Sequence, residues 1–311
     1  MKTLTKVIIL IIAIGPGPLF AEDAVMGNTI HINDKGIGDW KGTPPDTDNT
    51  AVYSEGEYIW RDTYDDDKGN GSYTYCQEPI FEKCADLLEV RITFDKDNLY
   101  MLIKAEKPKE WWVPYRLIGI RTEQSGEGLS EVFTQGGRED ANSYNGIYGE
   151  IKVSKELAPY FVIGLSGTFK GRIWDKAGKL IAKADGPDTG NDTPGFQIAT
   201  VDWQTMQLAI SWKTLGIDPP EGQTWKFVVG MGSQDYDHLR EVDAVASQWH
   251  GGGGEGSFNE DGPDPDLYDL AGAPIDKQQE DLSGFGTGGG DPAQYSEIKH
   301  SFLEVKFGKL K

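Results

Sequence analysis

Residues 88–105 read LEVRITFDKDNLYMLIKA. Val90, Ile92 and Phe94 alternate with Arg91 and Thr93, the two-residue period of a strand that buries one face and wets the other. Lys96 and Asp97 supply a turn, and Leu99, Met101 and Ile103 return on a single face, so the stretch predicts a β-hairpin. Strand-like runs recur at 116–122, 147–153, 161–165, 196–201, 206–212, 225–231 and 302–307. A second hairpin, FKGRIWDKAGKLIAKA at 169–184, turns at Lys176-Ala177-Gly178. Helix-type periodicity is nearly absent, and no repeat of fixed period is visible. Many short strands separated by turn residues predict an all-β chain, a two-sheet antiparallel β-sandwich with long decorated loops at 135–149 and 232–290. The last strand is expected to pair with an early one, which makes 29–307 one domain.

The chain begins with Lys2 and Lys6, an apolar run from Val7 to Ile14, a Gly-Pro break and Leu19-Phe20-Ala21. This is the pattern of a secretory signal peptide over 1–21, followed by a short linker at 22–28. The run is too short for a permanent span, which takes roughly 20 apolar residues. No cysteine follows the break, so no lipobox is present. The expected location is secreted or at the cell surface. Loss of Lys2 and Lys6 with the leader takes the formal net charge from -20 to -22. Such a chain repels nucleic acid and anionic lipid and favours cations or neutral ligands.

Working outward from the first hairpin, residues 58–90 read YIWRDTYDDDKGNGSYTYCQEPIFEKCADLLEV. Asp62, Asp65, Asp66, Asp67 and Asn70 crowd oxygen donors into one glycine-rich turn, the chemistry of a hard cation, and Ca²⁺ in a structural role is the expected cofactor. It is not an EF-hand: counted from Asp66, Lys68 takes the third position and Gln77 the twelfth. A solvated turn whose aspartates cap backbone amides is the competing explanation. Asn259, Glu260, Asp261, Asp264, Asp266 and Asp269 form a second acidic cluster, solvated or holding a cation. Cys76 and Cys84 are the only cysteines, and in an exported protein an even pair predicts one disulfide.

Sugars stack their C–H faces on exposed aromatic rings. Among the nine tryptophans, Trp203, Trp212 and Trp225 fall in strand patterns and are expected in the core, with Trp40 and Trp60 also buried. Trp111-Trp112 lies in a loop context and Trp249 stands beside His250 and a glycine run; with Tyr144 these are the candidate carbohydrate-binding residues. No G-x-S-x-G occurs, and the four histidines show no zinc spacing, so the chain reads as non-catalytic. Met101, Met206 and Met231 sit in strands, the default of core packing.

Asp62, Asp66, Asp67, Gly69, Gly71, Tyr73, Tyr75, Phe81, Asp86 and Leu87 resemble the signature of glucodextranase-type C-terminal binding modules, with Cys76 where that family has proline. Ile30-His31-Ile32-Asn33 before Gly38-Asp39-Trp40, Ala209-Ile210-Ser211-Trp212 before Leu215-Gly216, and the segments 232–235, 240–242, 248–252 and 264–270 are similar to the same family. The resemblance spans about 29–285. It implies a DOMON-like or CBM9-like β-sandwich of the kind appended to glucodextranases and amylopullulanases. The expected function is secreted, non-catalytic recognition of an α-glucan or cell-envelope polysaccharide, with a glucan-degrading enzyme or a second copy of the chain as protein partner. Two alternatives remain at this stage: a surface-layer-type structural protein that assembles through the sandwich, and a haem-binding DOMON-type protein.

Overall fold

The computed structural model describes residues 27–123, 152–186, 190, 192–235, 238–240, 242–254, 266–283 and 297–309. The leader-like segment, Tyr144, and Asn259, Glu260, Asp261 and Asp264 of the second acidic cluster lie outside the described residues. In chain order the first strands are β1 (Thr50–Ser54), β2 (Glu57–Arg61), β3 (Leu87–Phe94), β4 (Asn98–Ala105), β5 (Pro114–Arg121) and β6 (Lys152–Val153). There follow β7 (Phe161–Ser166), β8 (Lys170–Asp175), β9 (Leu180–Ala184), β10 (Phe196–Val201), β11 (Thr205–Ser211), the short helix α1 (Trp212–Leu215) and β12 (Thr224–Asp235). The last third holds β13 (His238–Leu239), β14 (Val242–Asp243), β15 (Gly251–Gly252), β16 (Asp269–Leu270), α2 (Ile275–Asp281), β17 (Glu297–Ile298) and β18 (Leu303–Lys306).

Two antiparallel sheets face each other. One runs β1-β2-β3-β4-β11-β10; the other runs β13-β12-β5-β7-β8-β9, with β16 and β18 also paired to β12. The fold is therefore the all-β sandwich that the alternation predicts. The hairpin at 88–105 forms with Phe94 opposite Leu99, and the Asp95 carboxylate accepts the N–H groups of Asp97 and Asn98, each at 2.8 Å, to close its turn. Val90, Ile92, Phe94, Leu99, Met101 and Ile103 pack between the sheets with Ile118, Ile163, Phe227 and Val229. Met206 and Met231 are buried in the same core.

The opposite face of the hairpin is not wet. Arg91 and Thr93 are buried as well, because the chain before β1 is laid across this sheet. Ile30 and Trp40 pack on Tyr100, Leu102 and Ala209, and the Trp40 indole donates to Gln207 at 2.9 Å. The Arg91 guanidinium is satisfied by Glu57 at 3.0 Å, Glu89 at 2.6 Å and the Gly42 carbonyl at 2.8 Å. A charged residue at an alternating position thus marks a buried ion pair here, not a solvent face.

The terminal strand corrects a second expectation. β18 pairs with the late strand β12, with Trp225 opposite Val305, and not with an early one. β12 is twelve residues long, so β18, β16 and β13 share its outer edge in succession while β5 runs along its inner edge. The stretch 232–290, expected as a loop, contains β13 to β16 and α2 among its described residues. Of the strand expected at 147–153, only Lys152–Val153 is described, paired in parallel with β17. Phe307, just past β18, places its ring 5.1 Å from those of both Phe94 and Trp225. Phe307→Ala should lower the unfolding free energy by about 3–5 kcal/mol, the cost of deleting a buried phenyl group, measured by urea denaturation.

Candidate functional site

One end of the sandwich gathers the start of β3, the end of β2, the β4–β5, β7–β8 and β10–β11 connections, and the end of β12. The loop between β2 and β3, residues 62–86, crosses this end and is fastened to the last third of the chain. Gly69 donates its N–H to the Tyr268 carbonyl at 2.8 Å, and Thr74 bridges Gly252 in antiparallel fashion. Tyr75 stacks on Tyr268 with ring centroids 4.5 Å apart, and Tyr73 meets the same ring edge-on at 5.6 Å. Gly69 must be glycine: its φ is +53°, and a Cβ there would fall 2.2 Å from the Tyr73 ring.

This pinned loop sorts the five candidate ligands into two groups. Asp65 has a left-handed backbone (φ 67°), which turns its side chain outward to Lys83 at 2.9 Å. Asp67 accepts the Tyr75 hydroxyl, while Asn70 accepts Ser72 N–H at 2.9 Å and donates to the Gly253 carbonyl at 3.2 Å. Those three staple the loop. Asp62 and Asp66 turn inward instead. Asp66 lies with Asp86 and Asp269 so that one carboxylate oxygen of each falls within 4.8 Å of the others. Asp62 is 3 % exposed, and the charge of Asp66 bears directly on it.

Asp86 was not among the sequence candidates for ligation, and Asp269 was grouped with the second acidic cluster and not with this loop. Both occur as Asp-Leu inside otherwise apolar runs, CADLLEV and LYDLAG, and an acid embedded in a buried segment was the available signal. Asp86 accepts the Asp65 N–H at 3.1 Å, and Asp269 accepts the N–H groups of Leu87 at 2.7 Å and Leu270 at 2.8 Å. The electrostatics follow from this crowding. Burial, then the neighbouring carboxylates, pushes Asp66 and Asp86 each up to about 7. Burial and Asp66 raise Asp62 well above the usual carboxylate range, and burial and Asp62 do the same to Asp269.

The expected disulfide is not formed: Cys76 and Cys84 are both free, buried thiols. Each is packed into the apolar core beside Phe81, and burial raises both thiols above their ordinary value, Cys84 the further. The connection between them is held instead by backbone bonds from Gln77 to Ser247 at 2.8 Å and from Glu78 to Gln248 at 3.1 Å.

The same loop carries Phe81, the hub of the aromatic cluster. Trp112 and Trp249 both meet its ring edge-on, at 5.7 and 6.4 Å, and the Arg240 guanidinium lies 4.7 Å from its centroid. Trp249 is 45 % exposed and Trp111 38 %, whereas Trp112 is half-buried. Trp111 stacks on Phe169 of the β7–β8 turn at 5.0 Å, and the buried Arg116 secures that turn by donating to the Gly167 carbonyl at 3.0 Å. Trp40, Trp60, Trp212 and Trp225 are buried. Trp203 is not, and this corrects its placement in the core: it occupies the β10–β11 turn at φ 64°, 42 % exposed, with Lys107 Nζ 6.0 Å above its ring. Three exposed tryptophans therefore stand at the end of the sandwich that holds the carboxylates.

A family model described as the C-terminal binding module, SLH-like, of glucodextranase matches residues 59–297, more than half of the chain. No curated protein matches the chain. The match takes in the whole of the loop 62–86 and every residue of the carboxylate and aromatic clusters named above.

The raised carboxylates fix the sign of a pH response. Asp66 and Asp86 keep their protons to about pH 7 when folded, against an ordinary value of 3.8, so between these limits the folded chain binds more protons than the unfolded one. In metal-free buffer the urea midpoint should therefore fall as pH rises from about 5 to about 7.5, and Asp66→Asn should flatten that decline.

Proposed function

Because the chain belongs to the family of the C-terminal, SLH-like binding module of glucodextranase, we propose that it binds carbohydrate without transforming it. The ligand class is an α-glucan or a cell-envelope polysaccharide, met outside the cell or at its surface. One observation carries this assignment: Trp249, which meets Phe81, and Trp111, next in the chain to the Trp112 that meets the same ring, present exposed indoles at the loop-rich end of the sandwich. A pyranose offers apolar C–H faces to such rings, while the acidic chain around them supplies acceptors for its hydroxyls. Aromatic side chains with few rotatable bonds lose little entropy on binding, which suits them to a flat, repeating ligand. Among the described residues no helix is long and apolar enough to cross a membrane.

Affinity electrophoresis through soluble starch, dextran and purified cell wall tests the assignment. The wild-type chain should be retarded by at least one of them, and Trp249→Ala or Trp111→Ala should weaken that binding about tenfold, or ~1.4 kcal/mol. Unfolding should change by less than about 1 kcal/mol, since both rings are partly in solvent. Unhindered migration in all three matrices, with concentration-dependent assembly instead, would replace glycan recognition by self-association.

A further inference from the structure

We propose that Asp62, Asp66, Asp86 and Asp269 form a calcium site that ties the β2–β3 loop to β16. The group differs from the acidic run seen in the sequence: two of its members come from that run, one from the first residue before β3, and one from about two hundred residues later in the chain.

Two independent observations point to a ligand. Both carboxylate oxygens of Asp66 are buried without a hydrogen-bond partner, and Oδ2 of Asp62, a residue only 3 % exposed, has the Trp60 indole beside it but outside hydrogen-bond geometry. A buried acceptor left unpaired costs about 1–3 kcal/mol, more when charged, so three in one corner call for a positive partner. Among the described residues no ammonium or guanidinium group pairs with these oxygens. Lys68 and Lys83, whose charges bear on Asp66 and Asp86, are engaged on the outer side of the loop by Asp65. Asn49 Oδ1, on the turn whose amide nitrogen holds Thr63 at 2.9 Å, is a further buried acceptor with no donor.

The donor chemistry selects the ion. The clustered atoms are all carboxylate oxygens, with neither histidine nor thiol among them, which favours a hard cation over zinc. Separations within 4.8 Å are compatible with a calcium ion, whose bonds of about 2.3–2.6 Å set opposite oxygens about 4.6–5.2 Å apart. Magnesium dehydrates reluctantly and is usually bound through one or two carboxylates, which favours calcium for a set of four. Backbone donors already orient Asp62, Asp86 and Asp269 from behind, leaving their remaining lone pairs for the ion.

The test uses the full-length chain, stripped with chelator and dialysed. Calcium should raise the melting temperature and bind by calorimetry in a one-to-one ratio. Terbium should luminesce on indole excitation, since Trp60 lies beside Asp62. Asp66→Asn should weaken calcium binding by more than about tenfold while melting no lower than the metal-free wild type, because it relieves repulsion. Asp86→Asn serves as the second variant and should behave alike. Asp65→Asn, on the outer side, should keep wild-type affinity. The site is overturned if folded wild type neither gains stability with calcium nor sensitises terbium, or if Asp65→Asn abolishes binding while Asp66→Asn and Asp86→Asn retain it. Glycan retardation is measured separately, so failure here leaves the carbohydrate assignment standing and the reverse also holds.

Discussion

Four carboxyl groups drawn into one water-poor corner set the terms for the end of this sandwich. Two carboxylates about 4 Å apart repel by roughly 4 kcal/mol even at an effective dielectric of 20, so nothing but firm anchorage keeps them together. The anchorage is visible on every side. Leu87 and Leu270 hold Asp269 through backbone N–H groups, Asp65 N–H holds Asp86, and Thr63 N–H holds Asp62. Behind them the Tyr75–Tyr268 stack and the Thr74–Gly252 bridge lock the loop to the far end of the chain. Because Phe81 rides on that same loop, the aromatic rings around it inherit their positions from the same fastenings.

The sandwich was legible where side-chain alternation and turn chemistry agreed. The β3–β4 and β8–β9 hairpins, β10 and β11 follow from the period and the turns between them. What stayed hidden has physical causes. The β1–β2 hairpin turns through Glu55 and Gly56, both at positive φ, and a glutamate in the first of these positions disguises the usual Asn-Gly or Asp-Gly signal. Trp203 sits in a left-handed turn that bulky aromatics seldom enter, so the ring was counted with the strands on either side of it. Helix α2, IDKQQED, is too short and too polar to show a periodic face. The pairing of β18 depends on the length of β12, which a local pattern does not encode.

The candidate site divides in the same way. Acidic density marked the right loop, but density alone could not say which aspartates turn inward: the left-handed residue at Asp65 decides that, and three consecutive aspartates, all of a type that enters that region, leave its position open. Asp86 was overlooked as a donor because it belongs to an apolar run, Asp269 was grouped with the acidic residues that precede it, and the meeting of the two is a tertiary event across the whole fold. The cysteine pair shows the converse. Spacing and presumed export suggested a bond, whereas the core accommodates the two thiols as small apolar groups near Phe81.

Val242 gives the architecture one further property. Its N–H donates to Asp266 at 2.9 Å, and its carbonyl lies so close to Gly254 that a Cβ there would come within 2.2 Å. Residues 254 and 266 are therefore held side by side at one residue. Insertions in the span between would be charged only the slow logarithmic growth of closure entropy. A change in the length of that segment would leave the two positions that flank it fastened to Val242, so the sandwich could keep its register across such a change.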